Sequence, residues 1–201
     1  MLRRLLGIAA LSAILAWHGT APLQAEEPSV LMRFYYSNWV SGSVLKSPHD
    51  PSGVHADAPL ENLVKGEAEL IFFKHVGLGY GRQKIGRLYQ NAGVNTTEFA
   101  LQTYGSLTLY ATESRHFGFN MFAGRSWGSA DFEVTLNGVP QEDVFYENIP
   151  ILRTFGGFEY TLDRIGFRLE AMRVQGEKNE GGRIAEISQR LGYFTIYIPF
   201  N

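Results

Sequence analysis

The sequence predicts an all-β fold, an eight-stranded antiparallel up-and-down barrel, on three observations. About eight stretches alternate apolar and polar residues, the period of two that gives a strand two unlike faces. Their connections are alternately short and long. After the first 25 residues no apolar run approaches the ~18 residues of a membrane helix, so any crossing has to be made by strands. Residues 64–72 show the unit: Val64, Gly66, Ala68, Leu70 and Phe72 take one face, and Lys65, Glu67 and Glu69 the other.

The first element is a leader. Met1-Leu2-Arg3-Arg4 is a basic start, Leu5 to Trp17 an apolar stretch broken by Gly7 and Ser12, and Leu23-Gln24-Ala25 an acceptable cleavage site before Glu26-Glu27. Its thirteen or so apolar residues fall short of the ~20 of a spanning helix, so residues 1–25 are expected to be removed as a signal peptide. Residues 26–201 then form one barrel domain. With no cysteine in the chain there is no acylation site, disulfide or thiolate metal site.

The strands follow at 30–42, 63–74, 76–88, 97–112, 115–128, 149–162, 164–176 and 186–200. The polar face of the first carries Arg33, and that of the second Lys65, Glu67 and Glu69. Gly77, Gly79 and Gly81 lie on the polar face of the third, and Gly118 and Gly124 on that of the fifth. The sixth carries Arg153 and Glu159, and the seventh Arg168 and Glu170. Turns near Lys74-His75, Glu113-Ser114-Arg115 and Asp163-Arg164 are tight. The connections 43–62, 89–96, 129–148 and 177–185 are longer and rich in Gly, Asn, Pro and charge. Three short turns and four long loops put both termini at the short-turn end.

A period of two does not say which face is inside, and a soluble barrel would turn its apolar face inward. Three features favour a transmembrane barrel with short periplasmic turns and long extracellular loops. Glycine on the polar face suits a crowded lumen better than a solvated surface. Aromatics recur near both ends of the apolar face: Tyr36, Tyr80, Phe99 and Trp127 toward the long loops, Phe72, Phe117, Tyr160 and Phe167 toward the short turns. The polar-face charges balance, with Arg33, Lys65, Arg153 and Arg168 against Glu67, Glu69, Glu159 and Glu170. Equal numbers of both signs can close into a buried network.

Over residues 30–201 the chain resembles the eight-stranded outer-membrane barrels, the group of OmpX, OmpW, the opacity proteins and the membrane domain of OmpA. The resemblance is one of architecture, and its most specific part is the tail. Phe194, Ile196, Ile198 and Phe200 alternate toward a terminal aromatic, similar to the C-terminal signal read by the barrel-assembly machinery. Asn201 follows that aromatic, and Pro199 removes a ladder donor. The resemblance implies a Gram-negative outer-membrane location among membrane lipid and lipopolysaccharide.

Without Arg3 and Arg4, 16 basic residues stand against 20 acidic, a balance that argues against nucleic-acid binding. Eight strands enclose a lumen just wide enough for side chains, so the charges are expected to plug it; a narrow pore for small or hydrophobic solutes is the alternative. Lipid A deacylase and palmitoyl transferase barrels make an outer-leaflet enzyme the third reading. Catalysis would need a serine within reach of a histidine. His75 and His116 fall in the short turns, and His49 and His55 lie in the turn-rich segment 47–57. That segment matches no metal template, and the reading is of no enzyme, no cofactor and no metal site. The third long connection carries the outward hint. Asn137-Gly138 is a hairpin signal between alternating runs, and a hairpin there could display Phe132, Val134 and Phe145 to an extracellular partner. A structural or surface-interaction role is therefore expected.

Overall fold

In the computed structural model, residues 30–200 are described apart from 112–116, 142, 163 and 164. The leader, His116 and the turn residues Glu113, Ser114, Arg115, Asp163 and Arg164 lie outside the described residues, as does the side chain of Phe117. The strands are β1 (Leu31–Lys46), β2 (Leu60–Phe72), β3 (Val76–Asn91), β4 (Val94–Tyr110), β5 (Phe117–Leu136), β6 (Val139–Gln141), β7 (Ile149–Leu162), β8 (Ile165–Glu180) and β9 (Arg183–Phe200), with a 3-10 turn at Val144–Tyr146.

Eight of the strands form a closed antiparallel ring. The order β4-β3-β2-β1-β9-β8-β7-β5 is completed by pairing of β4 with β5, and β6 adds to the outer part of β5 alone. Closing a sheet forces the strands to tilt and the register to stagger. A row of directly paired residues traces that stagger: Met32, Leu70, Leu78, Leu107, Arg125, Thr154, Arg173, Arg190 and back to β1 at Ser43. The row climbs the barrel on each circuit.

Two of the four connections expected to be long are not. β3 and β4 stay paired to Asn91 and Val94, joined by Ala92 and Gly93 at φ 48° and 82°. β8 and β9 stay paired to Glu180 and Arg183, joined by Gly181 and Gly182 at φ 59° and 83°. Positive φ at both central residues matches the strand twist, so the polar, glycine-rich composition there marks the tip of a longer hairpin rather than a loop. The described residues of the other two connections, 47–59 and 142–148, carry no strand apart from an isolated bridge between Ser47 and Asp50.

Arg33, Lys65, Glu69, Arg153, Glu159, Arg168 and Glu170 are buried inside the ring, whereas Phe34, Tyr36, Trp39, Leu78, Tyr80, Phe119, Trp127, Phe158, Leu169 and Ile198 are exposed on its outer wall. A soluble barrel has the opposite arrangement. One extra residue between Tyr36 and Trp39 lets both aromatics point outward, because the bulge moves the buried face from odd to even positions. On the outer wall, Phe34 meets Phe200 edge-on at 5.5 Å and Trp39 meets Phe194 at 6.2 Å, sealing β1 to β9. Pro199 pairs only with β1, beyond the last β8 partner at Tyr197, so its missing donor interrupts no β8–β9 pair. No described helix is long and apolar enough to cross a membrane.

Candidate functional site

The candidate site is the lumen and the mouth at the long-loop end. Near the short turns, Arg33 Nη1 donates to both oxygens of Glu159 at 2.9 and 3.0 Å and its guanidinium lies 4.6 Å from the Tyr197 ring. Glu69 Oε2 accepts from the Tyr35 and Tyr110 hydroxyls, each at 2.5 Å. One layer up, Lys65 Nζ lies 2.8 Å from Glu170 and 3.6 Å from Glu67. Arg168 Nη2 lies 3.2 Å from Glu170, with its guanidinium 3.5 Å from the Phe122 ring centre. Glu67 accepts from Ser106 at 2.8 Å and Tyr104 at 3.2 Å.

The side chains of Arg33, Lys65, Glu67, Glu69, Arg153, Glu159, Arg168 and Glu170 lie inside the ring, and Arg153 is held differently from the rest. Among the described residues no carboxylate reaches it. It stacks 3.4 Å from the Tyr104 ring centre and donates to Gln83 Oε1 at 3.3 Å. The interior glycines make room for these groups. A Cβ on Gly77 would collide with the Glu69 carboxylate, and one on Gly81 would sit 2.6 Å from the Tyr104 hydroxyl.

Above the charges, Gln83, Gln102 and Gln189 are linked at 2.5 and 2.8 Å, and Tyr193 donates to Gln83 at 3.0 Å. An apolar layer follows, with Val44, Ile85, Ala100, Phe132, Val174 and Ile187 buried across the lumen. The space between this layer and Arg87 measures about 10 Å³, room for at most one water.

The mouth is built around Arg87 and Glu98, which the sequence reading left out of the charge network. Arg87 Nε donates to Glu98 Oε2 at 2.8 Å, Nη2 to Ser47 Oγ at 2.8 Å, and Nη1 lies 3.3 Å from Asp50 Oδ2. Asp50 in turn accepts from the backbone N–H of Val54 at 3.2 Å and of His55 at 3.0 Å, winding segment 47–59 into a lid. His55 stacks on Tyr89 at 4.4 Å, and His49 meets Tyr146 at 4.6 Å. From the other side, Arg183 binds Asp143 at 2.5 Å and lies 4.3 Å from the Phe145 ring. Burial and the Arg87 charge lower the His49 pKa against the pull of Glu98 and Asp143, and the Arg183 hydrogen bond holds Asp143 below the usual carboxylate value.

The expected display of Phe132, Val134 and Phe145 is corrected here. All three are buried: Phe132 and Val134 continue the lumen wall where β5 pairs with β4, and Phe145, in the 3-10 turn, lies under the Arg183 guanidinium and the Lys178 ammonium. Asn137 and Gly138 do form the two-residue turn, at φ 48° and 83°, and Asn95 N donates to Asn137 Oδ1 at 3.0 Å, tying the two hairpins together. The large apolar side chains exposed at this tip are Leu136 and Val139. The tail places Ile196, Ile198 and Phe200 on the outer wall, with Phe194 half-buried among them.

His75 sits in the turn after β2 with Nδ1 3.2 Å from the Tyr110 carbonyl oxygen, and no described serine hydroxyl bonds to a histidine ring. Among the described residues no group of three His, Asp or Glu could hold a metal ion.

No family model matches the chain, and no curated protein does. Solved structures do. The chain is similar to Neisserial surface protein A at a TM-score of 0.53 with 8% identity, over 87% of this chain and 100% of that one. It is also similar to the outer membrane protein OprG of Pseudomonas aeruginosa, at 0.47 and 10% identity over 86% and 95%. The Yersinia pestis attachment invasion locus protein Ail matches at 0.46 and 9% over 87% and 100%. With its closed ring, its inward charges and its likeness to Neisserial surface protein A, the chain has the fold of the eight-stranded outer-membrane β-barrels.

Proposed function

We propose that this protein is exported, loses residues 1–25 and resides in the outer membrane of a Gram-negative cell, with the short turns in the periplasm and the hairpin tips outside. There it acts as a closed barrel with a structural or surface-interaction role and no chemistry of its own. The observation that carries this reading is the pairing of an apolar outer wall with a lumen occupied by successive layers of described side chains. The outer wall exposes Phe34, Tyr80, Phe158, Leu169 and Ile198. That surface is far more apolar than a soluble protein tolerates and suits lipid. Inside, buried ion pairs, the glutamine layer, the apolar layer and the Arg87-anchored lid lie in series, which favours a plug over a pore.

Interaction with an outside partner falls to the β5–β6 tip and the lid. β6 is three residues long and contains Pro140, so its free edge is a blunted one, and side chains such as Val139 are the better contact. Outer-membrane fractionation followed by planar-bilayer recording tests the proposal. The expected result is recovery with the outer membrane and no steady conductance. Recovery in the soluble periplasm would overturn the location, and well-resolved channel steps would replace the plug by the narrow pore.

A further inference from the structure

The outer wall carries arginines among its apolar residues. Arg125, Arg173 and Arg190 fall on one cross-strand row, separated by Thr154 on β7 and followed by Ser43 on β1. Arg173 and Arg190 are directly opposed partners and both are exposed. Like charges facing each other on a sheet are destabilising unless something of opposite charge sits between them. No acidic side chain among the described residues pairs with any of the three. The nearest acids outward on β8 and β9, Glu177 and Glu186, are two rows away, and Glu186 is already bound by Lys46 at 2.8 Å.

Height places this cluster at the outer edge of the apolar band. Arg173 stands eight positions up β8 from Ile165. At about 3.3 Å per residue and ~40° of tilt that is roughly 20 Å, against an apolar band of ~25 Å. Arg190 stands ten positions from Phe200 and reaches slightly higher. Directly below the arginines the wall is indented. Gly156, Ala171, Gly192 and Ser41 pair in the row beneath and with Arg173 and Arg190 line one shallow groove.

Building on the outer-membrane reading above, we propose that Arg173 and Arg190, with Arg125 reaching up from two strands away, bind the phosphates of an acylated, phosphorylated glycolipid of the outer leaflet, whose acyl chain lies in the Gly156–Ala171–Gly192 groove. The chemistry fits one occupant: guanidinium forks match phosphate oxygens, the Thr154 and Ser43 hydroxyls flank them, and an acyl chain fills a groove floored by small residues beneath. A free anion would leave the groove bare, and an acidic protein would have to enter lipid to reach it.

The test uses the mature chain folded into phosphatidylcholine nanodiscs with and without lipid A, the heat-unfolding midpoint being read by gel shift. Lipid A is expected to raise the midpoint by several degrees, and the same lipid stripped of its phosphates is not. R173Q/R190Q, which removes both charges from the outer wall while keeping polar side chains and disturbs no interior contact, is expected to lose the shift and to bind lipid A about tenfold more weakly. R82Q/K84Q, on the far side of the barrel, is expected to keep it. An equal shift in R173Q/R190Q, or an equal effect of the dephosphorylated lipid, would overturn the site. A wild-type chain that inserts and shows no lipid A effect overturns the site and leaves the membrane reading standing. A chain that never enters the nanodisc overturns both.

Discussion

At the residue scale, the lumen places charged groups where none could be left alone. The Arg33–Glu159 pair has both side chains about 1% exposed. Replacing Glu159 with Ala removes the carboxylate facing that guanidinium and is expected to cost on the order of 3 kcal/mol in urea unfolding from micelles. Replacing Val139, 59% exposed, with Ser is expected to change stability by less than about 0.5 kcal/mol. That these charges share one face was legible from the period of two, and their balance and the glycines among them pointed that face inward. Their pairing was not, since Arg33 and Glu159 are 126 residues apart and meet only because ring closure brings β1 across from β7. Arg153 illustrates the limit: counting signs implied a carboxylate partner, and the stack on Tyr104 is a contact that charge counting does not contain.

At the scale of elements, the lid and the hairpins behave differently from what composition suggests. Segment 47–59 reads as an ordinary turn-rich loop, and the residue that fixes it, Arg87, lies on β3. Replacing Arg87 with Ala takes the partner from both Asp50 and Glu98 and is expected to speed amide exchange in 47–59 by roughly a hundredfold. Acid is expected to loosen the same lid. The His49 pKa is lowered below 6.5 in the closed lid, so closure is at full strength above that value and weakens as pH falls through the lowered one. Asp143 acts in the same direction at lower pH, its contribution present above the ordinary value of 3.8 and lost below its depressed one. Exchange in 47–59, corrected for intrinsic rates, should be faster at pH 5.5 than at 7.5, and a His49→Phe variant should show no such difference down to that pH. The hairpin tips at Ala92-Gly93 and Gly181-Gly182 were misjudged from sequence for a simple reason. Polar, glycine-rich residues occur both in loops and in paired strands that stand clear of lipid, and only pairing tells them apart.

At the scale of the whole molecule, the plug proposed above would not rest on one seal. The lid sits over an apolar layer, the layer over a glutamine ladder, and the ladder over ion pairs. Seals in series conduct only when all of them open, so freeing the outermost should leave the barrel shut. Arg87→Ala is accordingly expected to stay silent in a planar bilayer even though its lid exchanges faster. Phe132→Ala reaches the second seal. Removing a ring that is 6% exposed is expected to cost about 3 kcal/mol, yet the wall outside it is unchanged and the barrel should still migrate as a heat-modifiable species. Conductance should remain absent in Phe132→Ala as well, because the Gln83–Gln102–Gln189 ladder and the pairs around Lys65 and Arg33 lie beneath. Steady channel steps from Arg87→Ala alone would mean that the lid is the gate and the layers under it are permeable, turning the molecule from a plug with a cover into a gated pore.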